Sequence, residues 1–141
     1  SNIDNIDAST STGTDVLAGN SGSNLIIGGS GTSSLWGGSG CTSDTLQGGS
    51  GIENFFYGAG DGRDYITNGS SADKVIFYSD ITFNSIALDG TNLVISTSTD
   101  NTSVLTIANW SVSSLNTFVL ANGQEWRLTQ SGTTLGYTRI K

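Results

Sequence analysis

A GGSG tetrapeptide recurs three times between residues 28 and 51, and a large apolar residue follows each copy at a nearly constant distance. A flexible Gly/Ser linker has no reason to keep that spacing. Extended in both directions, the spacing defines a nine-residue unit, G-G-x-G-x-D-x-U-x with U apolar, and seven such units cover residues 10–77. Self-similarity at a fixed short period predicts a stacked β-solenoid.

Each unit divides into a turn and a short strand. The six residues rich in Gly and Ser form the turn, because glycine adopts left-handed backbone conformations at little cost. The next three residues form a strand whose middle side chain points to one face. Two units make one coil, so the eighth residues of both sides meet in a thin core. These predicted inward residues are Leu17, Ile26, Leu35, Leu46, Phe56, Ile66 and Val75. This alignment places two extra residues before Asp44, one before Asn54 and one after Tyr57.

The pattern changes after residue 77, where glycines thin out and β-branched and aromatic residues alternate with polar ones. Asp89-Gly90 and Asn122-Gly123 are typical hairpin turns, and Val112–Asn116 is a candidate short helical turn. We therefore expect an all-β chain: a lead-in at residues 1–9, a parallel β-roll at 10–77, and an antiparallel β cap at 78–141 packed on the roll.

Composition excludes several function classes. The chain has 141 residues, a net charge of −7 and only five basic residues, so it offers no surface for nucleic acid. No apolar run is long enough to span a membrane. With no histidine and one cysteine, neither a Ser–His nor a Cys–His pair exists. The Gly-x-Gly phrases lack the Gly-Lys-Ser/Thr of a phosphate loop. Asp61 and Asp64 form a carboxylate pair of the kind glycosidases use, but metal ligation or turn capping explains both residues more simply.

Residues 10–77 resemble the haemolysin-type calcium-binding repeats of RTX proteins in a degenerate form. Residues 74–126 are similar to the C-terminal domain that follows such repeats in haemolysin-type calcium-binding related proteins. The matching phrases are DGTNLVI from Asp89, LTIANW from Leu105 and FVLANGQEW from Phe118. The resemblance implies one part of a larger polypeptide, secreted or displayed on a bacterial surface and exported by a type I secretion machinery. It also implies folding outside the cell when calcium binds between the turns.

The resemblance places the calcium ligands at the sixth residue of each unit, together with backbone carbonyls of the turns. Because two units form a coil, these residues form two rows. We call Asn24, Asp44 and Asp64 the Asp44 ladder, and Asp15, Ser33, Asn54 and Asp73 the Asp15 ladder.

Only the Asp44 ladder is expected to have two neighbouring carboxylates. Asp44 and Asp64, with Asp61 nearby, are therefore the main candidates for one or at most two calcium ions, whereas Arg63 is a competing counter-charge. Asp73 and Asp15 are weaker candidates, because the Ser33 and Asn54 steps can be held by hydrogen bonds alone.

Four aromatic residues flank the inward positions, so alternation predicts that they point outward: Trp36, Phe55, Tyr57 and Tyr65. One hypothesis is burial against the C-terminal half. The other is an exposed row that stacks on a polysaccharide or cell-surface glycan, as in an adhesin or an accessory module. Trp110 and Trp126 are expected in the core of the C-terminal sheet. The functional expectation is a non-catalytic module that folds with calcium and caps the repeat tract, with a glycan-binding module and a metal-free structural solenoid as alternatives.

Overall fold

A computed structural model describes residues 5–40, 42–98 and 102–141, and these residues form strands and turns with no helix. No helix able to cross a membrane occurs in these three ranges. The strands of the repeat region are β1 (Asn5–Asp7), β2 (Thr14–Ala18), β3 (Leu25–Ile27), β4 (Thr32–Trp36), β5 (Thr45–Gln47), β6 (Ile52–Tyr57), β7 (Arg63–Thr67) and β8 (Lys74–Phe77). The later strands are β9 (Ser85–Asp89), β10 (Asn92–Ser96), β11 (Val104–Ile107), β12 (Thr117–Val119), β13 (Glu125–Ser131) and β14 (Thr134–Arg139).

The strands form two sheets, and each coil of the repeat region contributes one strand to each sheet. Sheet 1 has the order β1-β3-β5-β7-β11-β10-β9, and sheet 2 has the order β14-β13-β12-β8-β6-β4-β2. All pairings among the first eight strands are parallel and in step, with Ile26 beside Leu46 and Leu46 beside Ile66. The predicted all-β parallel β-roll is confirmed.

The core lies between the inner faces of the two sheets. Ile26, Leu35, Leu46, Ile66 and Val75 are all at most 1% exposed, as their eighth position predicts. Leu17 is only partly buried, because β2 is the edge strand of sheet 2. The burial of successive eighth positions confirms that the nine-residue period is a structural repeat.

The fifth unit, which contains β6, departs from the predicted alignment by one residue. Phe55 is fully buried and Phe56 is half-buried on the outer face, the reverse of the expectation. The same shift places Glu53 beside Ser33 and Asp73, so Asn54 is not a member of the Asp15 ladder. The reason is that GGSGIENFF fits the nine-residue unit with no insertion, and a shift of one residue turns every side chain to the other face.

The C-terminal strands extend both sheets. β11 pairs in parallel with β7, and β12 pairs in parallel with β8, so each sheet gains another parallel strand. Antiparallel strands follow: β10 and β9 in sheet 1, and β13 and β14 in sheet 2. The hairpin predicted at Asp89-Gly90 is confirmed, with Gly90 at a φ of 61°. The stretch predicted as a short helical turn, Val112–Asn116, is not a strand and contains one hydrogen-bonded turn, in which the Ser114 N–H donates to the Ser111 carbonyl, but it forms no helix.

The outward prediction for the aromatic residues holds for only half of them. Tyr65 is 45% exposed and Trp36 is half-buried on the outer face, but Phe55 and Tyr57 are in the core. The one-residue shift in β6 accounts for both errors. In the C-terminal half, Trp110 is buried, and its Nε1 donates to the Leu115 carbonyl at 2.8 Å.

Candidate metal site

The Asp44 ladder links three successive coils through hydrogen bonds from backbone to side chain. The Asn24 N–H donates to Oδ1 of Asp44 at 2.7 Å, and the Asp44 N–H donates to Oδ1 of Asp64 at 3.0 Å. Each carboxylate therefore supports the strand that precedes it in the stack. The predicted pairing of Asp44 with Asp64 is present.

The second oxygen of each carboxylate in this ladder has no partner. Oδ2 of Asp44 and Oδ2 of Asp64 are both buried and accept no hydrogen bond, and each residue is 1% exposed. Burial raises the pKa of Asp64 to about 8, and the negative charges of Asp44 and Asp61 add to this effect. Burial likewise raises the pKa of Asp44. Neither carboxyl group has a positively charged partner, and with its pKa of about 8 Asp64 is largely protonated at neutral pH, so the pair avoids two buried negative charges.

A glycine turn lies directly against this ladder. A Cβ added to Gly37, the first residue of its unit, would overlap the carboxylate of Asp44. A Cβ added to Gly19 would likewise overlap the side-chain amide of Asn24. The absence of a side chain at these positions lets the turn backbone approach the sixth-position side chain. Carboxylate oxygens and turn carbonyls are the hard donors that calcium prefers.

Asp61 lies near this pair, but its carboxylate serves a different set of contacts. Oδ2 accepts from Trp36 Nε1 at 3.2 Å and from the Gly58 N–H at 2.9 Å, while Oδ1 accepts from the Tyr78 hydroxyl at 2.6 Å. The residue is fully buried. Asp61 therefore holds two aromatic side chains and its own turn, and both of its oxygens are engaged.

The competing counter-charge, Arg63, has an exposed side chain on the alternate face of β7 from Asp64. Strand alternation directs it away from the row of buried carboxylates.

The Asp15 ladder contains more hydrogen bonds within its own turns. Asp73 accepts from the Glu53 N–H through Oδ1 at 2.8 Å and from the Ser70 N–H through Oδ2 at 2.7 Å. The Ser33 hydroxyl accepts from the Gly29 N–H at 3.3 Å, so the predicted hydrogen-bonded step at Ser33 is present. Asp15 lies at the β2 edge, half-buried, with Oδ2 unpartnered. Asp15 and Asp73 stand at the two ends of this ladder, with Ser33 and Glu53 between them.

Glu53 is the functional candidate that the sequence alignment missed. It is fully buried, neither carboxylate oxygen has a hydrogen-bond partner, and its side chain lies against Gly28 and Gly48. Burial raises its pKa to about 7, and the nearby charge of Asp73 adds to the effect. The expectation that this ladder has no neighbouring carboxylates is therefore wrong. Aligning GGSGIENFF without a gap would have found Glu53.

The residues present fit a single weak calcium site better than a full set of sites. No group of three acidic, cysteine or histidine side chains that could hold a metal ion occurs in the described ranges. The Asp44–Asp64 pair offers two buried, unpartnered carboxylate oxygens on successive coils, and that of Asp44 lies against the turn at Gly37. Backbone carbonyls would have to supply the remaining oxygens, since calcium takes six to eight.

No family model matches this chain, and no curated protein matches its sequence. Among solved structures, the extracellular lipase LipA from Serratia marcescens is similar, with a TM-score of 0.47 and 22% sequence identity. The match covers 77% of this chain and 19% of the lipase chain, so the present chain spans about a fifth of that protein. No activity is transferred from this likeness.

Proposed function

We propose that this chain is a non-catalytic, RTX-like β-roll module of a larger secreted or surface-displayed bacterial protein. Its work is to fold outside the cell with the help of calcium and to close the C-terminal end of a repeat tract. The observation that carries this proposal is the pair of unpartnered, buried oxygens on Asp44 and Asp64, in a β-roll whose turns are glycine-rich.

Calcium would relieve the electrostatic cost of these buried carboxylates. A divalent cation between successive turns would supply the positive charge that Oδ2 of Asp44 and Oδ2 of Asp64 lack. Extracellular calcium modules bind with dissociation constants of roughly 10⁻⁴–10⁻³ M, so such a site is empty in the cytosol and filled outside the cell. At tenfold excess over the dissociation constant, one ion adds about 1.4 kcal/mol to the free energy of unfolding. Calcium would therefore assist the fold without being required for it.

The capping role is supported by the topology of the last strands. A solenoid that simply stops leaves a row of unpaired backbone groups, which can recruit another chain. Here the last parallel strands, β11 and β12, are each paired on both sides, and each sheet ends in an antiparallel pair, β10–β9 in sheet 1 and β13–β14 in sheet 2. A chain ending after Leu120 would lose the sheet 2 cover, and we expect it to self-associate in sedimentation experiments where the full chain does not.

A non-catalytic role is supported by the occupation of the acidic groups. Asp61, one member of the carboxylate pair considered for glycoside hydrolysis, accepts three hydrogen bonds from within the protein and is fully buried. A glycosidase needs both carboxyl groups accessible to the sugar.

Isothermal titration with calcium tests the proposed site. The wild-type chain should bind one ion, or at most two, with a dissociation constant near the extracellular range. Asp44→Asn and Asp64→Asn should each abolish this binding, whereas Asp80→Asn, at an exposed position, should leave it unchanged. Absence of calcium binding by the wild-type chain would reject the calcium role and favour a metal-free structural solenoid.

A polysaccharide-binding accessory or adhesin role is the second candidate, and one surface favours it. A groove of about 380 Å³ on the outer face of sheet 2 is lined by Val16, Leu17, Ala18, Ser34, Trp36, Phe56 and Tyr78. Trp36 and Tyr78 pack edge to face at 5.9 Å, and Asp61 anchors the polar end of each. Their rings are thus held in place at the surface, as stacking on a sugar would require.

A glycan array with the wild-type chain and Phe56→Ala tests this second role. Phe56 lies in the groove and makes no hydrogen bond to Asp61, so its removal leaves the Trp36–Tyr78 pair intact. Binding of a glycan class that Phe56→Ala loses would support the role, and no binding on the array would count against it.

A further inference from the structure

Two rows of side chains run across the strands on the outer face of sheet 2. The in-step register defines them, because each residue lies beside its partner on the next strand. We call the first the apolar row, and it consists of Ala18, Trp36, Phe56, Ile76 and Val119, with Glu125 at its end. We call the second the polar row, and it consists of Ser34, Asn54, Lys74, Thr117, Arg127 and Thr138. The aromatic groove at Trp36 and Phe56 therefore continues, strand by strand, toward Lys74 and Arg127.

This face is almost free of acidic side chains, although the chain has 12 acidic residues and a net charge of −7. Among the outward-facing residues on the seven strands of sheet 2, Glu125 is the one acid, whereas Lys74 and Arg127 are basic. Nζ of Lys74 lies 2.6 Å from Oε1 of Glu125, so that carboxylate is neutralised. Arg127 is exposed, and no ion pair in the described ranges involves it. The outer face of sheet 2 thus carries an excess of positive charge on an acidic chain.

Local charge, and not the net charge of the chain, decides what this face attracts. At physiological ionic strength, exposed charges more than about 8 Å apart are largely screened from each other. Only β12 separates β8 from β13, so the backbones at Lys74 and Arg127 are about 10 Å apart, on either side of Thr117. Asp73 precedes Lys74 but points inward, and both of its oxygens accept backbone N–H groups. A ligand on this face therefore meets both cations.

We propose that the outer face of sheet 2 binds an acidic polysaccharide, whose chain lies across the strands from the groove toward β13. This inference rests on the polysaccharide-binding role proposed above and specifies the class of glycan. The rings of Trp36 and Phe56 stack on the apolar faces of the sugar rings. Carboxylate or sulfate groups farther along the polymer accept hydrogen bonds from Lys74 and Arg127, and the planar guanidinium group can donate two of them to one anionic group.

This face suits an acidic polysaccharide better than other polyanions. A nucleic acid carries a phosphate on every nucleotide, and its binding depends on many Lys and Arg contacts, whereas the strands here supply two. An anionic membrane surface is recognised by clusters of about four to eight basic residues. An acidic polysaccharide carries its charges more sparsely, and its sugar rings offer apolar faces to aromatic side chains. The combination of an aromatic groove with a few cations matches that chemistry.

Binding assays with matched pairs of acidic and neutralised polysaccharides test this proposal. The pairs are polygalacturonate and its methyl ester, hyaluronan and carboxyl-reduced hyaluronan, and dextran sulfate and dextran. Chelator in the buffer prevents calcium from bridging the polymer to the acidic chain, and circular dichroism checks that the chain is folded. We expect the chain to bind an acidic polymer and not its neutralised counterpart. Rising salt should weaken this binding, because the attraction is between exposed charges.

Three variants assign the binding to this face. Arg127→Gln should weaken binding of the acidic polymer about three- to fivefold, the effect of one exposed charge pair. Glu125→Gln should strengthen it, because Lys74 then has no competing carboxylate, and a loss of structure could not produce such a gain. Arg63→Gln is the matched control, because it removes the same charge from the outer face of sheet 1 and should bind like the wild-type chain.

The outcomes separate this inference from the role on which it rests. Equal binding of acidic and neutralised polymers would overturn the inference but keep the polysaccharide role, and so would equal losses in Arg127→Gln and Arg63→Gln. Failure to bind any polysaccharide, acidic or neutral, would reject both. Binding to phosphatidylglycerol vesicles without binding to any polysaccharide would overturn the inference in favour of a lipid surface.

Discussion

The two ladders of sixth-position side chains occupy equivalent places in the roll but differ in how the buried side-chain oxygens are hydrogen-bonded. On the Asp44 ladder, Asp44 and Asp64 each use one oxygen to accept a backbone N–H from the preceding coil and keep the other unpartnered. On the Asp15 ladder, Asp73 uses both oxygens, Ser33 bonds to its own turn, and the longer Glu53 makes no hydrogen bond through its carboxylate.

This difference shows that the identity of one residue per unit decides what a ladder can bind. Two aspartates on successive coils leave two oxygens without a hydrogen-bond partner, and that of Asp44 faces the turn at Gly37, an arrangement suited to a cation. A serine makes a self-sufficient step, and a glutamate places its carboxyl group farther from its own strand, against Gly28 and Gly48. We therefore expect the Asp44 ladder to respond to calcium as well as to protons, and the Asp15 ladder to respond to protons alone.

The largest effect should come from the residue that sets the register of the Asp15 ladder. Phe55→Ala removes a fully buried ring and should lower the free energy of unfolding by about 3–5 kcal/mol, through lost burial and the cavity left behind. Phe56→Ala is the control, since Phe56 lies on the outer face and should cost less than about 1 kcal/mol. Urea denaturation of both variants measures the difference. Equal costs would mean that β6 is not aligned as described.

The same substitution on the two ladders should have different consequences. Asp73→Asn replaces one of two engaged acceptors by a donor, so it should cost about 1–3 kcal/mol, with or without calcium. Asp64→Asn keeps one acceptor oxygen for the Asp44 N–H and is neutral, as the carboxyl group with its pKa of about 8 largely is at neutral pH, so in chelator it should not destabilise the chain. Chemical denaturation in chelator compares the two. A loss in Asp64→Asn as large as that in Asp73→Asn would contradict the distinction.

Protonation of Glu53 should make the roll more stable in mild acid. Its pKa rises from 4.5 to about 7 on folding, mainly through burial. The stability it contributes is complete below about pH 4.5 and is lost as the pH rises through 7. Glu53→Gln should remove this dependence and raise the stability at pH 8 by about 2 kcal/mol, since each pKa unit corresponds to about 1.36 kcal/mol and solvent near the turn screens part of the shift.

Glu125→Gln is the control for this pH profile. A hydrogen bond from Lys74 lowers the pKa of Glu125, which is the opposite direction to the shift at Glu53. Replacing Glu125 should therefore bring no gain in stability at pH 8. Thermal melts of both variants between pH 4 and 8 provide the comparison. A Glu53→Gln variant that is less stable than the wild-type chain at every pH would indicate a hydrogen-bonding role instead.

The repeat period was sufficient to predict the solenoid, its inward residues at Ile26, Leu35, Leu46, Ile66 and Val75, and the pairing of Asp44 with Asp64. The prediction was wrong at Phe55 and Glu53 because the alignment of that unit contained an unnecessary gap. Side chains alternate between the two faces of a strand, so this shift by one residue exchanged the inward and outward side chains of β6. The hydrogen bonds of Asp61 were not predictable in this way. Tyr78 lies 17 residues after Asp61 in the chain, and Trp36 lies 25 residues before it.

In the C-terminal half, the sequence indicates where the strands are but not which strands pair. Val104–Ile107 has the composition of any buried strand, so the sequence indicates a strand there but not its partner. The structure pairs it in parallel with β7, which extends sheet 1 by another parallel strand. Such a pairing depends on contacts between residues distant in sequence, which a local pattern does not encode.

Thermal melting in millimolar calcium and in chelator, for the wild-type chain and for the Asp44→Asn/Asp64→Asn double variant, is the most direct test of the calcium account. The wild-type chain should be folded in both conditions and should gain about 1.4 kcal/mol from calcium at tenfold excess over its dissociation constant. The double variant should melt at the same temperature in both conditions. Identical wild-type curves with and without calcium would contradict the account, and so would a wild-type chain that is fully unfolded in chelator.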